Sequence, residues 1–225
     1  MEEQRRDPRL IILAVFALVA IGVVAAILIS RGGEDDSSTV AGAPGCEQVE
    51  EPQPKQVRLR APRQTLRRGE TVTAEVDTSC GTFEIALDTT RAPKTANSFA
   101  YLAEQGFYDG LPFHRIVPDF VIQGGDPLGN GTGGPGYSVD ERPPANLAYT
   151  RGIVAMAKSA AEPPGRSGSQ FYVVTGADAG LPPDYALVGK VSGGMDVVDR
   201  IGSLGTPTER PRQTVVIDRV TIEKG

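Results

Sequence analysis

Hydrophobic and polar positions divide the chain into regions of different kind. From Leu10 to Ile29 there are 20 consecutive residues without a charge or a strongly polar side chain. A helix of that length spans about 30 Å, the thickness of a bilayer's hydrocarbon core. A helix packed on a soluble core would show a polar face, and this run has none. It therefore predicts a transmembrane helix over 10–29, with 1–9 on one side of it. A cleaved signal peptide is the alternative. The run is longer than a usual signal core, however, and no small-x-small cleavage site follows it closely. Period-two alternation starts much later. Thr71–Val76 and Phe83–Leu87 read as strands joined by a turn at Ser79-Cys80-Gly81. Pro93 then suits the first turn of a helix, with Ala96, Phe99, Ala100 and Ala103 at helical spacing up to a stop at Gly106. Short apolar runs at Phe120–Gln123, Ile153–Ala157, Phe171–Thr175 and Leu187–Val191 predict further strands in a turn-dense region. A second helix is expected over Met195–Ile201, and Val215–Ile222 closes as a last strand.

Between the apolar run and the first strand lies a segment without periodicity, expected as a linker over 30–70. Gly, Ser, Pro and acidic residues dominate to about Pro54, as in a flexible spacer. Lys55, Arg58, Arg60, Arg63, Arg67 and Arg68 then form a basic stretch, which reads as a solvated linker or as a contact for anionic lipid or cell-wall polymer. The ordered domain is expected over 71–225. Arg5, Arg6 and Arg9 precede the apolar run, whereas only Arg31 follows it before Glu34-Asp35-Asp36. That asymmetry places the N-terminus in the cytoplasm and the domain outside, as a single-pass protein of the cell membrane. Cys46 and Cys80 then lie in an oxidising compartment, where two thiols pair unless they stay apart as free thiols. A bridge would stabilise by about 3–4 kcal/mol on the chain-entropy model.

Composition narrows the function classes. Forty per cent hydrophobic residues suffice for a core, and a net charge of −5 gives no reason to expect nucleic acid as a partner. Gly129-Asn130-Gly131-Thr132-Gly133-Gly134 fits G-x-G-x-x-G, but Pro135-Gly136 follows where a phosphate site needs a helix. One His and two cysteines make a zinc site or a nucleophile–His pair improbable. No cofactor is expected. What remains is an arginine among aromatic residues, Arg115, with no evident structural need for it.

The blocks around that arginine carry a resemblance. Phe113-His114-Arg115-Ile116, Phe120, Gln123-Gly124-Gly125-Asp126, Asn130-Gly131-Thr132-Gly133-Gly134, Ile153–Ala157, Ser169-Gln170-Phe171 and Val188-Gly189-Lys190-Val191 follow the order and approximate spacing of the cyclophilin family. The resemblance runs from about Val72 to Ile222. It implies a mainly β fold, a closed eight-stranded antiparallel β-barrel capped by two α-helices, here preceded by the transmembrane helix. It also implies a monomeric catalytic domain that isomerises X-Pro bonds in proline-containing polypeptides, without cofactor or covalent intermediate. Arg115 would be the catalytic donor. Phe120, Val121, Tyr172 and Leu181 would grip the proline ring, and Gln123 would steady substrate and arginine. Ala157 and Lys158 would offer backbone contacts, Gln170 and Tyr185 would line the groove, and His114 would stand at its edge. Where the family commonly has Phe, His and Asn, this chain has Tyr172, Tyr185 and Lys158; where many members have Trp, it has Gly180. The competing function is a proline-segment-binding chaperone or scaffold with little turnover, for which a retained arginine is unnecessary.

Overall fold

The computed structural model describes residues 43–225, so the expected helix over 10–29 and the topology drawn from it lie outside the described residues. Among the described residues no helix is long and apolar enough to cross a membrane. The strands are β1 (Val72–Thr78), β2 (Gly81–Leu87), β3 (Leu111–Pro112), β4 (Arg115–Val117), β5 (Val121–Gly124), β6 (Val139–Asp140), β7 (Ile153–Met156), β8 (Arg166–Ser167), β9 (Phe171–Val174), β10 (Leu187–Gly193) and β11 (Val216–Lys224). The helices are α1 (Pro93–Glu104) and α2 (Met195–Gly202).

Nine of the strands form one antiparallel sheet in the order β3-β11-β1-β2-β10-β7-β9-β5-β4, while β6 and β8 pair separately. The closed eight-stranded barrel expected from the sequence is therefore corrected to a curled, nine-stranded sheet whose ladder does not close. Its two edges are halves of one interrupted segment: Leu111–Pro112 pairs with β11 and Arg115–Val117 pairs with β5. The interruption has a local cause. Pro112 has no N–H to extend a ladder. The Phe113 side chain is fully buried, and its N–H donates to the Val215 carbonyl at 2.9 Å.

The sheet carries apolar residues on both faces, which is why β7 and β9 read as unbroken apolar runs. Ile116, Ile122, Val154 and Val173 face the main core with Phe83, Phe99, Phe113 and Phe171. Val121, Ala155, Tyr172, Val174 and Leu187 face a second, smaller cluster. α1 packs against β10 and β11, and α2 against β2 and β5. The first turn of α1 has no local cap. Glu141, 46 residues on, accepts from the Thr95 N–H at 2.7 Å and from the Lys94 N–H at 3.1 Å, satisfying two donors that the helix itself leaves open.

The described part of the expected linker, 43–70, has no regular element yet lies along the domain. Cys46 and Cys80 are joined in a disulfide, which ties the segment to the β1–β2 turn. Glu47 N–H donates to the Ser79 carbonyl, Lys55 N–H to Pro127 and Leu59 N–H to Pro135, each at 2.7 Å. The Thr65 and Leu66 N–H groups converge on Asn97 Oδ1, and the Leu66 side chain is buried in the main core. Val57 and Leu59 turn inward while Arg58 and Arg60 stay exposed.

Candidate active site

The site forms where neighbouring strands bring one row of side chains to the outer face. Arg115 of β4 pairs in register with Gln123 of β5, Gln123 with Tyr172 of β9, and Tyr172 with Ala155 of β7. Register partners point to the same side, so residues far apart in sequence become neighbours. The end of this row is fixed by the turn after β5. Gly125 has φ +79, and a Cβ there would lie 2.5 Å from the Ser169 carbonyl, so only glycine lets the two strands meet. Ser169 Oγ donates to the Gly125 carbonyl at 2.8 Å and locks the approach.

A hydrogen-bonded chain runs across the row. Arg115 Nε donates to Glu209 Oε2 at 2.7 Å and Nη1 donates to Gln123 Oε1 at 3.3 Å. Gln123 Nε2 donates to Gln170 Oε1 at 3.1 Å, and Gln170 Nε2 ends the chain on the Gly133 carbonyl at 3.0 Å. Among the described residues Arg115 Nη2 donates to nothing. The guanidinium is thus held at two of its nitrogens, with a third left over. The hydrogen bond from Arg115 holds the Glu209 carboxyl below its ordinary range.

Beside this polar chain lies the apolar cluster. Val121 and Tyr172 are buried in it, and Phe120, Leu181, Ala157 and Tyr185 pack against it half-buried. Tyr149, Tyr172 and Tyr185 form a ring trio with centroids 5.8–6.3 Å apart. Tyr149 is the supporting member: its hydroxyl donates to the Tyr185 carbonyl at 2.6 Å and accepts from the Tyr185 N–H at 3.0 Å. Burial pushes its phenol up to about 12. The Tyr172 hydroxyl is buried with no partner, and burial pushes its phenol far above the usual range. Lys158 Nζ lies 5.4 Å from the Tyr185 ring centroid and donates to the Glu162 carbonyl at 3.1 Å.

The structure thus joins Arg115, Gln123, Gln170 and Tyr172 across the row, gathers Phe120, Val121, Ala157, Leu181 and Tyr185 in the adjoining cluster, and sets Lys158 beside Tyr185. His114 is the least engaged. It lines, with Arg115, Gln123, Asn130 and Glu209, a cavity of ≈ 340 Å³ next to the arginine. Both its ring nitrogens are buried without a partner, and burial lowers its pKa against the opposing pull of Asp126. The Ala157 N–H donates to the Gln170 carbonyl at 2.8 Å. Gly180 has φ +62 with open space around it. A Trp placed there would meet no clash but a strained backbone. Two residues escaped sequence reading: Tyr149, an isolated aromatic in a turn-rich stretch, and Glu209, 94 residues from the arginine it grips. Neither sits in a motif.

Among the described residues no three His, Cys, Asp or Glu side chains form a group that could hold a metal ion. The arrangement offers a fixed cation beside a half-covered cluster of aromatic and branched side chains. Comparison with known proteins identifies the family. Residues 72–222 match the family described as cyclophilin type peptidyl-prolyl cis-trans isomerase/CLD. Peptidyl-prolyl cis-trans isomerase B of Streptomyces anulatus is 41% identical over 170 residues, covering 67% of this chain and 95% of that protein. Peptidyl-prolyl cis-trans isomerase-like 1 of Aspergillus niger is 40% identical over 151 residues, covering 65% and 91%. Among solved structures, a cyclophilin type isomerase of Cryptosporidium parvum, crystallised in the presence of the dipeptide Ala-Pro, superposes with a TM-score of 0.63 at 28% identity, covering 68% of this chain and 99% of that one. With two-thirds of its length matched by the family and its arginine seated beside an apolar cluster, the chain belongs to the cyclophilin-type peptidyl-prolyl cis-trans isomerases.

Proposed function

We propose that this isomerase turns X-Pro bonds in extracytoplasmic polypeptides with Arg115 as its one essential donor. Rotation of a peptide bond faces a barrier of about 18–20 kcal/mol, because amide resonance must be broken. In the twisted state the imide nitrogen becomes pyramidal and its lone pair can accept a hydrogen bond. In the planar ground state that lone pair is delocalised. A guanidinium placed over it therefore stabilises the transition state selectively. An acceleration of ~10⁵-fold needs about 7 kcal/mol, of which one charge-assisted hydrogen bond supplies about 2–4 kcal/mol. The remainder falls to the grip on the ring by Phe120, Val121, Tyr172 and Leu181, and to backbone contacts from Ala157 and Lys158. Gln170 and Tyr185 border the groove, and His114 stands at its edge without acid–base duty.

The observation that carries this reading is the doubly held guanidinium with a free nitrogen next to a half-covered apolar cluster. Extracytoplasmic action rests on the apolar run at 10–29, the arginines before it and the two paired cysteines. Arg115→Ala in the full chain should lower kcat/KM by at least two orders of magnitude while circular dichroism stays native. A folded variant with near-normal turnover would remove Arg115 from the mechanism. For location, a reagent that cannot cross membranes should label the domain on intact cells.

A further inference from the structure

Apart from glycines, two described residues have a left-handed backbone, Asp119 at φ 54 and Glu209 at φ 64. A long side chain in that region carries strain that a glycine would not, and such strain persists only where the surroundings over-determine it. The loop between α2 and β11 does so. Glu209 N–H donates to the Thr206 carbonyl at 2.9 Å, and its own carbonyl accepts from the Ile116 N–H at 2.8 Å. Thr206 Oγ1 donates to the Arg210 carbonyl at 2.7 Å, and Arg212 N–H to Leu204 at 2.8 Å. The result is that one residue grips strand β4 twice. Its backbone holds Ile116, and its carboxylate holds the Nε of Arg115, the residue just before.

We propose that Glu209 is a positioning residue for the isomerisation, spending backbone strain to fix the plane of the Arg115 guanidinium. This rests on Arg115 being the donor. Gln123 at Nη1 leaves the side chain free to swing about its long stem. A second tie at Nε fixes the plane and leaves Nη2 as the nitrogen facing substrate. A misplacement of about 1 Å at such a donor can cost up to ~10²-fold in rate. The opposing effect is that a carboxylate dilutes the arginine's positive field. Exposure decides between them: the two side chains are 32% and 50% exposed, so solvent screens the field but does not screen the ordering.

The test uses the full chain with an X-Pro peptide followed by magnetisation exchange. Glu209→Gly removes the tie and relieves the strained φ. We expect kcat to fall about tenfold with KM within about twofold, while Tm does not fall. Glu209→Gln keeps an oxygen for the Nε–H and should lose no more than about threefold. In an Arg115→Ala background, Glu209→Gly should cause no further loss, because its effect passes through the guanidinium. Unchanged or raised kcat in Glu209→Gly would overturn the proposal, as would an equal fold-loss in the Arg115→Ala background or a Gln variant as slow as the Gly one. Near-normal turnover in Arg115→Ala alone would instead overturn the assignment of Arg115 itself.

Discussion

His114 and Tyr172 both bury polar atoms without partners, with different consequences. Burial lowers the His114 pKa from its ordinary value, so folding favours the neutral ring. Glu209 is shifted down as well and stays ionised. Because rotation about the X-Pro bond requires no proton transfer, kcat/KM should vary less than about threefold between pH 6 and 8. A bell-shaped profile that vanishes in His114→Gln would show that the ring takes part. The sign for stability follows from the same shift. Below pH 6.5 the unfolded chain takes up the proton before the folded one, so stability declines as pH falls toward the folded pKa. Tyr172→Phe removes a hydroxyl that burial has stripped of water and given nothing in return. It should raise stability by about 1 kcal/mol without slowing turnover. A lower urea midpoint would mean the hydroxyl has found a partner.

At the scale of elements, pattern reading recovered what is long enough to show a period. β1, β2, β10, β11 and both helices fall within a few residues of their expected places. β3, β4, β6 and β8 have two or three residues each, too few for alternation to register, and β4 is where Arg115 sits. Arg115 and its pocket were legible through motif resemblance, not through periodicity. Glu209 was not legible at all, because a turn residue joined to its partner only by tertiary contact leaves no local mark. The strap over 43–70 was legible in hindsight at Val57-Arg58-Leu59-Arg60, an in–out alternation hidden under the density of arginines. Elsewhere it is fastened by the Cys46 bridge, by the isolated Leu66 side chain and by backbone N–H groups at Glu47, Lys55 and Leu59, none of which makes a periodic pattern. The fastening makes a prediction. Reducing Cys46–Cys80 should lower stability by about 3–4 kcal/mol, seen as a drop in urea midpoint, while the domain stays folded on its remaining ties. Identical midpoints with and without reductant would show that the bridge adds nothing beyond those ties.

For the molecule as a whole, the curled sheet divides labour between its faces. One face, sealed by α1 and α2, holds the main core; the other shows a half-covered cluster to solvent, and that incomplete cover is where we place the proline-binding surface. The disulfide has a mechanical meaning in this setting. A pull on the N-terminus of the oxidised chain is delivered through Cys80 to the β1–β2 turn and shared by the whole ladder. With the bridge open, the same pull meets the strap's bonds at Glu47, Lys55, Leu59 and Leu66 one after another, as a zipper does. Peeling from Cys46 to Leu66 frees about 20 residues, or about 70 Å of extended chain. Optical tweezers should therefore record a low-force lengthening of about that size in reductant, absent when the bridge is intact. A single high-force event under both conditions would mean the strap yields only with the domain. If the apolar run at 10–29 anchors the chain as proposed, the bond acts as a latch on reach: closed, it would keep the catalytic domain on a short lead; open, it would let the same domain patrol a wider radius.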